Sequence, residues 1–211
     1  MIKAIFFDLD GTLIKSMDDH FYSWNHILNK YKNINIDKNF FFLTEGTKLQ
    51  VLVKKFFINK NIKCTSEEIE QLIFLKDQYY KSNFKVKFYP KVISLIKFLL
   101  KKNILLYIVT SGSKKRVFRT LPKNFINLFE NIITGDDCKK GKPSPEQYLT
   151  ALKLSKIDRK NCLVLENAPL GIISAKKAKI KTIAITNTLT TKYLYKADKV
   201  IKSIEDIKKF I

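Results

Sequence analysis

Short apolar runs rich in β-formers recur along this chain, each followed by a stretch with helix spacing, and few folds accommodate that alternation. The runs are Ala4 to Leu9 (AIFFDL), Ile104 to Val109 (ILLYIV), Asn131 to Thr134 (NIIT), Cys162 to Leu165 (CLVL) and Thr182 to Ile185 (TIAI), with Lys199 to Ile201 as a short last one. Their unbroken hydrophobicity predicts strands buried on both faces. Between them, Val92, Ile93, Leu95, Ile96, Leu99 and Leu100 keep helix spacing. So do Ile172, Ile173, Ala175 and Ala178, and the stretch Ile204 to Phe210. Ser144-Pro145-Glu146-Gln147 predicts a helix start, with Ser at the N-cap, Pro in the first turn and Gln at the capping-box position. Strands alternating with helices imply an α/β core: a parallel sheet with helices on both faces, three layers in all.

One stretch breaks the alternation. From about Ser16 to Phe88 no strand is convincing, and helical patterns run over Asp18 to Tyr31, Lys48 to Phe57 and Ser66 to Tyr80. Ser16-x-x-Asp19 predicts the cap of the first of these helices. The chain therefore divides into a core of residues 1–15 and 89–211 and a helical insert of residues 16–88, with the returning hinge near Tyr89-Pro90. No internal repeat or low-complexity linker is present.

Composition removes several classes. A chain of 211 residues with 45 % apolar residues can bury a core, so disorder is excluded. Only 6 Gly and 5 Pro exclude a collagen-like or linker-rich protein. Three widely spaced cysteines (Cys64, Cys138, Cys162) fit neither a disulfide scaffold nor a zinc knuckle. No transmembrane run exists, and Asp8 and Asp10 interrupt the apolar start before a signal-peptide core can form. The expected location is cytoplasmic. The formal charge of +21 invites a nucleic-acid reading. Yet the cations are nearly all Lys, spread along the whole chain, with Arg only at 116, 119 and 159. Arg is the side chain that phosphate and base readout recruits. The expectation is no specific nucleic-acid partner, no membrane partner and a monomer.

Ligands of open parallel sheets bind beyond the carboxyl ends of the strands. Asp8, Asp10, Gly11 and Thr12 follow the first run, and Thr110, Ser111, Gly112 and Ser113 follow the second. A loop with Lys142 follows the third, and Glu166 and Asn167 follow the fourth. Carboxylates, hydroxyls and one ammonium, distant in sequence, are thus expected at one place.

These residues resemble a known family. Asp8-Leu-Asp10-Gly11-Thr12-Leu, Thr110-Ser111-Gly112-Ser113, Gly141-Lys142-Pro143-Ser-Pro-Glu and Val164-Leu-Glu166-Asn167-Ala-Pro-Leu-Gly171 are similar, in order, to the four motifs of the haloacid dehalogenase superfamily. The insert resembles that family's helical C1 cap, and Ala197-Asp198-Lys-Val-Ile its closing strand. The resemblance implies a Rossmann-like core and a Mg²⁺-dependent phosphatase acting on a small phosphate ester. Asp8 would be the nucleophile, forming an aspartyl-phosphate. Asp10 would be the general acid and then base, a role needing a carboxyl group that holds a proton near neutrality. Lys142 would neutralise phosphoryl charge, and Thr110 or Ser111 would donate a hydroxyl. Gly112 and Ser113 would bind substrate at a helix start.

The implied metal ligands are the Asp8 carboxylate, the Asp10 carbonyl and the Glu166–Asn167 pair. The sequence departs from the family at Asn167, where an acidic residue is usual. Thr44-Glu45-Gly46-Thr47-Lys48 resembles the cap's specificity loop, which makes Gly46, Thr47 and Lys48 candidate substrate contacts. His20 and Trp24 resemble the pattern of the β-phosphoglucomutase branch, His20 reaching the site on closure and Trp24 in the cap core. Lys76 is expected to be solvated. Two alternatives stand beside the phosphatase: a phosphomutase of that branch, and a nucleic-acid-binding protein on an inactive version of the fold.

Overall fold

A computed structural model describes residues 1–211. The elements in chain order are β1 (Ala4–Phe7), α1 (Met17–Lys32), α2 (Lys38–Leu43), α3 (Leu49–Ile58), α4 (Ser66–Asn83), α5 (Val92–Lys101) and β2 (Leu105–Val109). Then follow α6 (Lys114–Thr120), α7 (Lys123–Ile126), β3 (Asn131–Ile133), α8 (Glu146–Ser155), β4 (Cys162–Glu166), α9 (Pro169–Lys177), β5 (Lys181–Ile185) and β6 (Lys199–Ile201). All six strands are parallel, in the order β3-β2-β1-β4-β5-β6. The strand order reverses at β1, so the crevice beyond its carboxyl end is where this topology holds a ligand.

The unbroken apolar runs have a simple cause. Ile5 and Phe7 face a core made with α5, α6 and the C-terminal segment, while Ala4 and Phe6 face the opposite one, made with α8 and α9. A strand covered on both sides has no face for polar residues. Phe6 and Phe7 are fully buried, each contributing on the order of 2–3 kcal/mol by area.

The four helices α1 to α4 bury a third core of their own, around Trp24, Leu28, Phe56 and Phe57. Thr65 opens α4 with a complete capping box to Glu68. Two adjacent strands of chain join this unit to the sheet: Ile14 bridges Phe88, Lys15 N donates to Lys87 O at 2.7 Å and Tyr89 N to Leu13 O at 3.1 Å.

Several details differ from the sequence expectations. Ser16 gives α1 no side-chain cap, because its hydroxyl turns to Asp10 instead. The helix predicted from Ser144 starts at Glu146, with Pro145 in the cap position, because the Glu146 carboxylate accepts the Lys139 and Lys140 amides. The α2 helix was not anticipated; Asp37 caps it by accepting from Phe40 N at 2.6 Å. The stretch Ile204–Phe210 is a 3₁₀-helix. No helix is long and apolar enough to cross a membrane.

Candidate active site

The register of β1 against β4 pairs Phe7 with Leu165, so the chain leaves the sheet at Asp8 beside Glu166. Two buried carboxylates side by side need a cation. Lys142, from the loop after β3, supplies it: Nζ donates to Asp8 Oδ1 at 2.7 Å, to Glu166 Oε1 at 2.6 Å and to Val109 O at 3.3 Å. All three side chains are buried. Glu166 is held on every side. Its Oε1 also accepts from Tyr148 OH at 2.8 Å, and its Oε2 accepts the Asn167 and Ala168 amides. Both oxygens of Glu166 are therefore hydrogen-bonded, one of them to Lys142. A Cβ at Gly171 would stand 1.8 Å from Glu166 Oε1.

Asp8 Oδ2 accepts from Thr12 Oγ1 at 3.1 Å, and the same hydroxyl lies 3.2 Å from Asn167 Oδ1. The Asn167 amide nitrogen donates to Thr188 Oγ1 at 2.9 Å and approaches Glu45 Oε2 at 3.4 Å. Burial first, and then the Glu166 charge, push Asp8 up to about 7 against the pull of Lys142. Burial and the charges of Asp8, Glu166 and Asp10 raise Glu45 well above the usual range. Glu45 was not picked out in the sequence; its only signal is its place beside Gly46.

Asp10 has a different environment. It is buried and accepts from Ser16 Oγ at 2.7 Å, from His20 Nε2 at 3.0 Å and from both terminal nitrogens of Arg116. Burial works against its charge, but Arg116 and His20 outweigh burial and hold Asp10 well below the usual carboxylate range. The proton near neutrality that the acid–base role needs is not held in this arrangement, and Arg116 is the cause. Only glycine at 112 leaves room for that guanidinium, since a Cβ there would lie 2.0 Å from Arg116 Nη2. Arg116 was missed in the sequence because it sits in the first turn of α6, beyond the motif.

Lys76 is the second correction. It is buried, with Nζ 3.0 Å from His20 Nδ1 and over the rings of Trp24 and Tyr80. Burial and the Lys76 charge bring His20 down to about 3, so its imidazole is neutral, Nε2 donating to Asp10 and Nδ1 accepting from Lys76. Burial lowers Lys76 to about 8. Trp24 lies in the cap core as expected, edge-on to Phe56.

The loop between α2 and α3 closes the site from above. Gly46 has φ +89°, and its backbone lies against Lys142, where a Cβ would meet Cδ at 3.0 Å. Ser111 Oγ donates to Gly46 O at 2.6 Å, a direct tie from the sheet to the insert. Ser111, Gly112, Thr47, Gly46 and His20 line the enclosed cavity. Thr110 does not; its Oγ1 accepts the Gly112 amide at 3.1 Å. Ser113 caps α6 by accepting Arg116 N at 3.3 Å. Lys48 is absent from the cavity lining and packs against Gly141. The cavity holds about 60 Å³.

A sequence profile described as haloacid dehalogenase-like hydrolase matches residues 5–185. A validoxylamine A 7'-phosphate phosphatase of Streptomyces hygroscopicus subsp. limoneus is 26 % identical, over 99 % of this chain and 97 % of its own. Hexitol phosphatase A of Escherichia coli is 27 % identical, over 97 % of this chain and 93 % of its own. The crystal structure of a β-phosphoglucomutase from Clostridium difficile superposes with a TM-score of 0.85 at 25 % identity, covering 99 % of this chain and 96 % of that one.

Proposed function

This chain belongs to the haloacid dehalogenase-like hydrolase family, and we propose that it is a Mg²⁺-dependent phosphatase of a small sugar or polyol phosphate, working through an aspartyl-phosphate. The observation that carries this reading is Lys142 Nζ standing between Asp8 and Glu166 at the ends of adjacent strands. Such a group neutralises phosphoryl charge beside the attacking carboxylate. The two phosphatase relatives, matched over nearly their full lengths, support the substrate class.

The oxygen donors suit a hard divalent cation. Asp8 Oδ2 and Asn167 Oδ1 converge on one hydroxyl, and the raised proton affinities of Asp8 and Glu45 show more carboxylate than Lys142 alone balances. Asp8, the Asp10 carbonyl and Asn167 would hold Mg²⁺, which supplies positive charge that keeps Asp8 ionised. Glu166, occupied by Lys142, Tyr148 and two amides, stands behind them.

In the first step an Asp8 oxygen bonds to phosphorus, the bond to the leaving oxygen breaks, and Asp10 gives that oxygen its proton. In the second, water attacks the phosphoryl group, its proton goes to Asp10, and phosphate leaves. Asp10 must therefore gain a proton when substrate displaces the Arg116 fork from it. Opening of the insert about the Lys15 and Lys87 strands would admit a sugar phosphate.

The likeness to a β-phosphoglucomutase keeps a second reading in view. A mutase must grip the far phosphate of a bisphosphate from the cap loop, and Arg is the side chain suited to that. Residues 16–88 contain no Arg, and Lys48 is a point charge with no bidentate fork. Hydrolysis is accordingly the expected outcome. A panel of phosphorylated metabolites assayed with Mg²⁺ should give phosphate release from sugar or polyol phosphates. With β-glucose 1-phosphate and a trace of its bisphosphate, free phosphate should outpace glucose 6-phosphate; stoichiometric glucose 6-phosphate would assign the mutase.

A further inference from the structure

A second hollow lies on the far side of Arg116. It is a cleft of about 300 Å³ between α4 and α6, and it shares Arg116 and Asp77 with the enclosed cavity. Phe74, Tyr80, Phe84 and Val86 supply its apolar surface. Tyr80 also stacks on His20 at 4.3 Å between ring centroids, so the cleft backs directly onto the acid–base side of the site.

The charge lining it is one-sided. Lys81, Lys85, Lys115 and Arg119 face it together with Arg116. None of those first four forms a salt bridge. The only carboxylate there, Asp77, is 3.4 Å from Lys76 Nζ. Elsewhere on the surface Lys32, Lys38, Lys91, Lys176, Lys208 and Lys209 find acidic partners, while many other lysines, like those of the cleft, have none. What sets the cleft apart is its arginines. Of the three arginines in the chain, two line it, and Arg is the cation whose planar fork fits carboxylate and phosphate.

Geometry connects the cleft to the reaction. The leaving oxygen takes its proton from Asp10, so the leaving group lies on the Asp10 side of the phosphoryl group. Arg116 binds Asp10 with both terminal nitrogens and borders the cleft as well. A leaving group a few carbons long that extends past Arg116 would reach the cleft.

We propose that this cleft is a subsite for a second anionic group, a carboxylate or a phosphate, carried on the leaving-group side of the substrate. The proposal rests on the phosphatase reading above and narrows it. The substrate class is a phosphomonoester whose leaving group is itself anionic, with the apolar walls covering its carbon chain and the unpaired cations meeting its charge.

A matched set of esters tests it. Sorbitol 6-phosphate and 6-phosphogluconate have the same six carbons and differ at the far end, hydroxymethyl against carboxylate; sorbitol 1,6-bisphosphate puts a phosphate there. The expected result is a kcat/KM for 6-phosphogluconate or the bisphosphate about five- to tenfold above that for sorbitol 6-phosphate, shrinking as salt is raised. Whichever dianionic ester gains more identifies the anion that fits. In the double variant Lys85→Ala, Arg119→Ala, both exposed positions, that ratio should fall to near one. A ratio near one in the wild type, or one that survives in the variant, would overturn the subsite. If none of the esters releases phosphate, the phosphatase reading fails for this class, and calorimetry on Asp8→Asn protein decides the subsite separately. Tighter binding of 6-phosphogluconate than of sorbitol 6-phosphate, lost with Lys85 and Arg119, would support it. Equal binding, or none, would contradict it.

Discussion

Arg116 grips both oxygens of Asp10, Nη1 on Oδ1 at 3.2 Å and Nη2 on Oδ2 at 2.5 Å. A bidentate pair of this kind strongly favours the ionised carboxylate. Arg116→Ala leaves burial to dominate, so the Asp10 pKa rises. Since kcat/KM reports the free enzyme, its fall on the alkaline side should move to higher pH by about one unit or more with sorbitol 6-phosphate, which carries no second anion. Superimposable pH profiles for wild type and variant would show that Arg116 does not control Asp10.

Asp8 should destabilise the chelator-treated protein as pH rises. Its folded pKa, raised to about 7 by burial and Glu166, lies above the unfolded value of about 3.9. The native state therefore binds the extra proton, and stability contributed below the unfolded pKa is lost as pH climbs toward 7, levelling above it. Asp8→Asn removes that loss. Relative to wild type, the variant should gain about 2 kcal/mol between pH 5 and pH 8, read as diverging Tm curves. Parallel curves would mean that Asp8 is ionised without strain.

Asn167 supplies a neutral oxygen beside Asp8. Asn167→Asp adds a charge next to the hard cation, so the half-saturating Mg²⁺ should fall about tenfold. The same variant should show a lower Tm than wild type without metal, because it adds a further carboxylate to Asp8, Glu45 and Glu166, and a larger rise in Tm on adding Mg²⁺. An unchanged Mg²⁺ requirement would place Asn167 outside the metal's reach.

What the sequence disclosed follows from how each feature is encoded. The strands were legible because burial on both faces writes a continuous apolar run, and Lys199–Ile201 was located to the residue. Asp8, Lys142 and Glu166 were legible because they follow strand ends, where the topology must gather them. Arg116, Glu45 and the buried state of Lys76 were not. Their positions depend on how the insert packs over the sheet, and neither local pattern nor spacing carries that. A lysine among polar neighbours on α4 reads as solvated until His20, Trp24 and Tyr80 are seen to enclose it. Ser16 was misread for the same reason: a helix-capping residue by sequence, it serves a carboxylate six residues earlier.

The central claim is that Asp8 carries the phosphoryl group between substrate and water. Acid quenching during turnover of a good substrate with Mg²⁺, followed by tryptic digestion, tests it most directly. The account predicts one phosphoryl group on the peptide Ala4–Lys15, located at Asp8, and none from Asp8→Asn protein, which should also release no phosphate. Sustained phosphate release by folded Asp8→Asn protein, or a phosphoryl group on any other residue, would contradict it.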